Sequence, residues 1–111
     1  YKASHVNHPS NIWTRETLAN YNWVYGLWEE SCKEYTYRYG KIHGAWSKLG
    51  ELLRTPPANI TDGPLTTMPQ AMPDDVKCAD TVEAYRQYYR KYKADFARWT
   101  KRPVPEFMCA T

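Results

Sequence analysis

Residues 21–39 read YNWVYGLWEESCKEYTYRY, and this stretch decides the fold class. Aromatic or small apolar residues occur in it at alternating steps of four and three positions. These residues are Tyr21, Tyr25, Trp28, Cys32, Tyr35 and Tyr39. This spacing places all of them on one face of an α-helix. The stretch therefore predicts a long helix at the centre of the fold.

The ends of this helix are indicated by a proline and a glycine. Pro9 suits a first helical position, because its missing N–H has no intrahelical partner there, and Gly40 suits the left-handed residue that follows a helix. The sequence therefore predicts one long helix over residues 9–39, and a bend or restart near residues 14–16 stays open.

A second helix is predicted over residues 44–54, where apolar residues share one face and Pro56 and Pro57 follow. Residues 55–79 contain five of the eight prolines and no sustained period. Apolar residues are scattered through this segment, so we expect an ordered loop that packs on the helices. No alternation typical of a strand occurs.

A third helix is predicted over residues 80–100. It opens with Asp80-Thr81-Val82-Glu83, which resembles a capping box, and an apolar series at steps of three and four follows. That series is Val82, Tyr85, Tyr89, Tyr92, Phe96 and Trp99. We expect most of these rings in the core, and Lys101 and Arg102 in the last turn. The predicted fold is all-α, with three main helices in one domain spanning residues 1–111.

Composition restricts the classes of protein. No stretch has the 18 or more apolar residues that cross a bilayer, and the first residues lack the apolar centre of a secretory signal. The three cysteines are odd in number and lack zinc-ligand spacing. We therefore expect a soluble cytoplasmic protein without membrane contact, metal site or cofactor. The start at Tyr1, without methionine, is interpreted as a fragment that lacks an N-terminal segment.

Positive charge is concentrated in the predicted third helix. Residues 83–102 carry seven cations against two carboxylates, an excess of five. Cations interleaved with rings can contact phosphates and stack on bases. The candidate nucleic-acid-binding residues are Arg86, Tyr88, Arg90, Lys93, Lys101 and Arg102. The alternative is an ordinary solvated helix face.

Several strings resemble an uncharacterised family of phage and bacterial proteins. They include residues 7–13 (NHPSNIW), 34–41 (EYTYRYGK) and 102–107 (RPVPEF). The chain also resembles, more loosely, the pyrimidine-dimer DNA glycosylases, through a long aromatic helix and a late basic helix before an Arg-Pro tail. That resemblance implies an all-helical fold and contact with DNA, and it would place the catalytic groups in a segment before Tyr1.

No catalytic motif is recognisable in the sequence itself, so catalytic residues stay unknown. The leading prediction is a nucleic-acid-associated helical domain of phage type, glycosylase-like but without its catalytic segment. The alternative is a structural or protein-interaction domain that forms homo-oligomers through uncovered apolar surface.

Overall fold

The computed structural model describes residues 4–109, and the chain divides between Thr66 and Thr67 into two compact units. Within residues 4–109 all regular structure is helical, and no strand occurs. This confirms the all-α class. The prediction of a single domain stays a prediction, and each unit is described by itself. In the described part of the chain, every helix is too short or too polar to cross a bilayer.

The first unit begins with two helices where one was predicted. Helix α1 spans Pro9–Glu16 and helix α2 spans Leu18–Tyr39. Thr17 between them is extended, with φ −138° and ψ 158°, and its hydroxyl accepts a hydrogen bond of 3.1 Å from Asn20 N. Residues 9–39 therefore form two helices instead of one, and the restart that the sequence left open near residues 14–16 lies at Thr17. A threonine hydroxyl satisfies a free N–H better as an N-cap than inside a helix, so the helix restarts here.

Other predicted helix ends are confirmed. Pro9 opens α1, and Gly40 follows α2 in the left-handed conformation with φ 71°. Helix α3 spans Gly44–Arg54, the predicted range. Two histidines act as N-caps: the Nδ1 atoms of His8 and His43 accept backbone hydrogen bonds of 3.1 and 3.2 Å.

Tyrosine hydroxyls join α3 to α2. The hydroxyl of Tyr21 donates to the carbonyl of Leu53, and that of Tyr25 donates to the carbonyl of Gly50, both at 2.6 Å. Burial of the Tyr21 hydroxyl raises its pKa, and the neighbouring Tyr25 adds to this shift. Hydrogen bonds from tyrosine hydroxyls therefore join α2 and α3, in addition to the packing of their rings.

The second unit contains a short 3₁₀ turn, Asp74–Val76, and helix α4, Thr81–Tyr88. The Oδ1 atom of Asp80 accepts from Val82 N at 2.9 Å and from Glu83 N at 3.3 Å, which confirms Asp80 as the N-cap of the predicted capping box. The carboxylate of Glu83 binds Arg90 at 2.8 Å. A short helix α5, Glu106–Cys109, ends the described chain.

The predicted third helix over residues 80–100 is too long. The α-helix ends at Tyr88, and one π-helical turn, Tyr89–Lys93, follows it. Aromatic residues have modest helix propensity, and side chains of this turn are held by distant partners, so tertiary contacts override the helical pattern. Lys101 and Arg102 lie beyond the helical turns, and Lys101 has a left-handed φ of 62°. Their predicted place in the last helical turn was wrong.

Three of the rings predicted for the core are exposed, and Tyr85 and Trp99 are half-buried. Tyr89 and Tyr92 are each 42% exposed and Phe96 is 62% exposed, whereas Val76 and Ala84 are buried. Hydrogen bonds from i to i+5 place more residues in each turn than an α-helix does. Steps of three and four therefore no longer keep these rings on one buried face.

Candidate nucleic-acid interface

Five side chains of the second unit form what we call the basic–aromatic cluster. They are Tyr88, Tyr89, Tyr92, Lys93 and Phe96. The ring of Tyr88 lies at its centre, with centroids 6.2 Å from Tyr89 and 5.7 Å from Tyr92. The π-helical turn directly after Tyr88 supplies three of the other four members. The cluster is thus a local product of this irregular turn.

Lys93 is the cation of the cluster. Its Nζ atom lies 5.1 Å from the centroid of Tyr88 and 5.3 Å from that of Phe96. Within residues 4–109 no carboxylate forms a salt bridge with it. Cation–π contact positions an ammonium group but does not cancel its charge. Lys93 therefore keeps a positive charge among partly exposed rings.

Arg86 is a second cation held by a ring. Its guanidinium carbon lies 5.5 Å from the centroid of Phe107, and the residue is exposed. In the described part of the chain it has no salt bridge to a carboxylate. Arg86 is thus available to an anion from solvent.

Arg90, in contrast, is held within the unit. Its guanidinium donates to Glu83 at 2.8 Å and to the carbonyl of Phe107 at 3.0 Å, and its side chain is 25% exposed. These bonds tie α4, the π-helical turn and α5 together. We therefore assign Arg90 a structural role, which its position on the predicted helix face did not indicate.

The remaining two candidate residues lie further along the chain. Lys101 and Arg102 are exposed, and the backbone N–H of Arg102 donates to Trp99 O at 2.9 Å. They belong to the irregular segment after the cluster. The helical wheel that placed Lys101 beside Arg86 and Arg90 does not apply to this conformation.

Asp75 is a residue of the site that sequence reasoning missed. Its carboxylate accepts from the hydroxyl of Tyr92 at 2.9 and 3.0 Å and pairs with the ammonium of Lys91. Hydrogen bonds from Lys91 and then Tyr92 lower the pKa of Asp75, and the same carboxylate raises the pKa of Tyr92. Asp75 lies 17 positions before Tyr92, so no periodic signal connects them.

Carboxylates pair with some of the cations in residues 83–102, and rings contact others. Glu83 pairs with Arg90, and Asp75 pairs with Lys91. Arg86 and Lys93 contact rings instead. The cluster can therefore attract an anion and offer it aromatic surface.

Metal ligands and the thiol of Cys78 are the remaining groups of chemical interest. Among residues 4–109 no three His, Cys, Asp or Glu side chains are grouped so that they could hold a metal ion. An open groove of about 510 Å³ in the second unit is bordered by Cys78 and Lys77, but the thiol of Cys78 donates to Asp80 O at 3.2 Å. Comparison of the chain with protein-family models, with curated proteins and with solved structures finds no match.

Proposed function

We propose that the second unit binds DNA through the basic–aromatic cluster. The observation that carries this proposal is the position of Lys93, whose ammonium lies between two rings and has no carboxylate partner in the described chain. Proteins that bind nucleic acid combine cations for the phosphates with rings for the bases. A surface for protein contact alone would not need an unmatched cation among its rings.

The contributions of the residues follow from their contacts. Arg86 and Lys93 attract phosphate, and Lys101 and Arg102 add positive charge from the following segment. The ring of Tyr88 positions Lys93. Arg90 supports the cluster from within the unit through Glu83.

Titration of a fluorescein-labelled DNA at several salt concentrations tests the proposal. Binding that rests on phosphate contacts weakens linearly on a logarithmic salt scale, and each lost contact lowers the slope by about one. Lys93→Gln is expected to weaken binding and reduce this slope. Lys41→Gln, an exposed lysine of the first unit, is the matched control because it removes the same charge elsewhere.

Two outcomes would overturn the proposal. If the protein does not bind DNA even at low ionic strength, the proposed function is wrong. Equal losses for Lys93→Gln and Lys41→Gln would show that net charge, rather than the cluster, attracts DNA. Asp95→Asn gives a test of opposite sign: this exposed carboxylate precedes Phe96, so its removal is expected to strengthen binding.

Self-association is a second candidate function, and it concerns the first unit. Trp23 is 43% and Leu27 is 51% exposed, and they lie four residues apart on one face of α2. Two large apolar side chains on one exposed face favour contact with another protein surface. Sedimentation at several protein concentrations tests this: the mass is expected to rise with concentration, and Leu27→Lys is expected to prevent it. A constant monomer mass would exclude it.

A glycosylase-like reaction is a third proposal, and it rests on the sequence resemblance alone. It predicts strand cleavage of damaged DNA only for a longer chain that includes an upstream segment. Inactivity of such a chain on damaged DNA would contradict it.

A further inference from the structure

We infer that the cluster takes single-stranded DNA in preference to duplex, with an unpaired base stacked on Phe96. This inference rests on the proposed DNA binding and specifies its ligand. Three of the four rings in the cluster, Tyr89, Tyr92 and Phe96, are exposed to solvent. Phe96 is 62% exposed, more than any other ring of the cluster.

The availability of Phe96 follows from its place in the chain. It lies in the turn after the π-helical segment, where its backbone N–H donates to Lys93 O at 3.3 Å. Lys93 is the cation over this ring, 5.3 Å from the centroid. With 62% of the residue exposed, Phe96 offers ring surface to a flat partner. A base can stack on an aromatic ring without sequence preference, since every base has a π-face.

The neighbouring rings are held in place before any ligand binds. The hydroxyl of Tyr92 is bonded to Asp75, and the ring of Tyr88 contacts both Tyr92 and Lys93. Rings that are already ordered lose less conformational freedom on binding. The carboxylate of Asp75 is paired with Lys91, so its charge is compensated at this position.

Charge and stacking together select the single strand. Lys93 is positioned to meet the phosphate of a nucleotide whose base covers Phe96. In a duplex the bases are already stacked on their neighbours, and an inserted ring must first unstack them. A single strand offers the same phosphates together with free base faces. The two ligands therefore differ in the stacking contact and share the electrostatic one.

The experiment compares one single-stranded oligonucleotide with its own duplex at the same salt concentration. The protein is expected to bind the single strand at least about tenfold more tightly. Phe96→Leu keeps apolar bulk but removes the π-face, and it is expected to weaken single-strand binding roughly fivefold or more while leaving duplex binding unchanged. Phe96→Tyr keeps the ring and is expected to retain the preference. Val82→Ala, 60% exposed on α4, is the matched control and is expected to change neither.

The outcomes separate this inference from the proposed function. Equal affinity for single strand and duplex, with no effect of Phe96→Leu, overturns the inference and leaves DNA binding in place. Loss of both affinities to the same extent in Phe96→Leu also overturns it. Absence of binding to either ligand at low salt overturns both.

Discussion

The side-chain oxygen of Asn20 accepts a hydrogen bond of 3.0 Å from the backbone N–H of Thr66, which lies 46 residues further along the chain. The Asn20 amide nitrogen donates to the carbonyl of Trp13 and to the hydroxyl of Thr66, both at 3.0 Å. Asn20 is 0% exposed. One buried amide thus holds the segment of Thr66 against the start of α2, and both of its polar ends have partners.

Replacement of Asn20 by Ala is therefore expected to be costly. It leaves the N–H of Thr66 and the carbonyl of Trp13 without their side-chain partner and opens a cavity. We expect the free energy of unfolding to fall by about 3 kcal/mol. Urea unfolding followed by tryptophan fluorescence measures this. Asn22→Ala, at an exposed position of the same helix, is the control and should change it by less than about 0.5 kcal/mol. Equal effects of the two substitutions would refute the assigned role of Asn20.

Two helical glycines are expected to respond in opposite directions to alanine. A Cβ at Gly50 would lie 3.1 Å from the ring of Trp46, and that ring is itself packed on Trp28 with centroids 5.0 Å apart. We expect Gly50→Ala to lower the unfolding free energy by about 1 kcal/mol, since overpacking exceeds the gain in helix propensity.

A Cβ at Gly26 would meet nothing within 4 Å. Gly26→Ala is therefore expected to raise the unfolding free energy by about 0.5 to 1 kcal/mol. Urea unfolding of both variants measures these two changes in the free energy of unfolding. Stabilisation by Gly50→Ala would show that Trp46 moves aside freely.

Arg90 and Glu83 are expected to act on stability as a pair. Arg90→Gln loses the charged bond to Glu83, and we expect a cost of about 1 kcal/mol because both side chains are partly exposed. A double-mutant cycle with Glu83→Gln isolates the coupling between them. Additive effects of the two substitutions would show that the ion pair between Arg90 and Glu83 does not contribute to stability.

The contact between Asp75 and Lys91 predicts a dependence of stability on pH. Hydrogen bonds from Lys91 and Tyr92 lower the pKa of Asp75 below its ordinary value of 3.8. A carboxyl group with a lowered pKa in the folded protein stabilises the fold above its unfolded pKa. That stabilisation is lost as the pH falls through the lowered value.

The measurement is the difference in melting temperature between the wild type and Asp75→Asn. We expect the wild type to melt higher near neutral pH, and the difference to disappear well below pH 3.8. Asp62→Asn, at an exposed position of the first unit, serves as the control. A difference that stays constant down to low pH would exclude the ion pair as its source.

Local sequence signals predicted a large part of the fold. The residues at steps of four and three in residues 21–39 all lie within α2. Helix ends also occur where Pro9, Gly40 and Asp80 predicted them. These signals depend on backbone groups within one turn of the residue concerned. The break at Thr17 lies one residue beyond the restart left open near residues 14–16, and the hydroxyl that caps α2 also donates to Pro64 O at 3.0 Å, across 47 residues.

The sequence by itself determined the all-α class, helix α3 and the mixture of rings and cations in residues 85–93, since each depends on neighbours a few positions apart. Tertiary structure alone decided which of those groups face solvent. Asp75 reaches Tyr92 across 17 residues, and Arg90 reaches the carbonyl of Phe107 across another 17, so the ladder of an α-helix gives way to a π-helical turn. The physical reason is that a side-chain bond between distant residues has no period: such bonds hold Arg90 half-buried against Glu83 and Phe107, whereas Phe96 is left exposed.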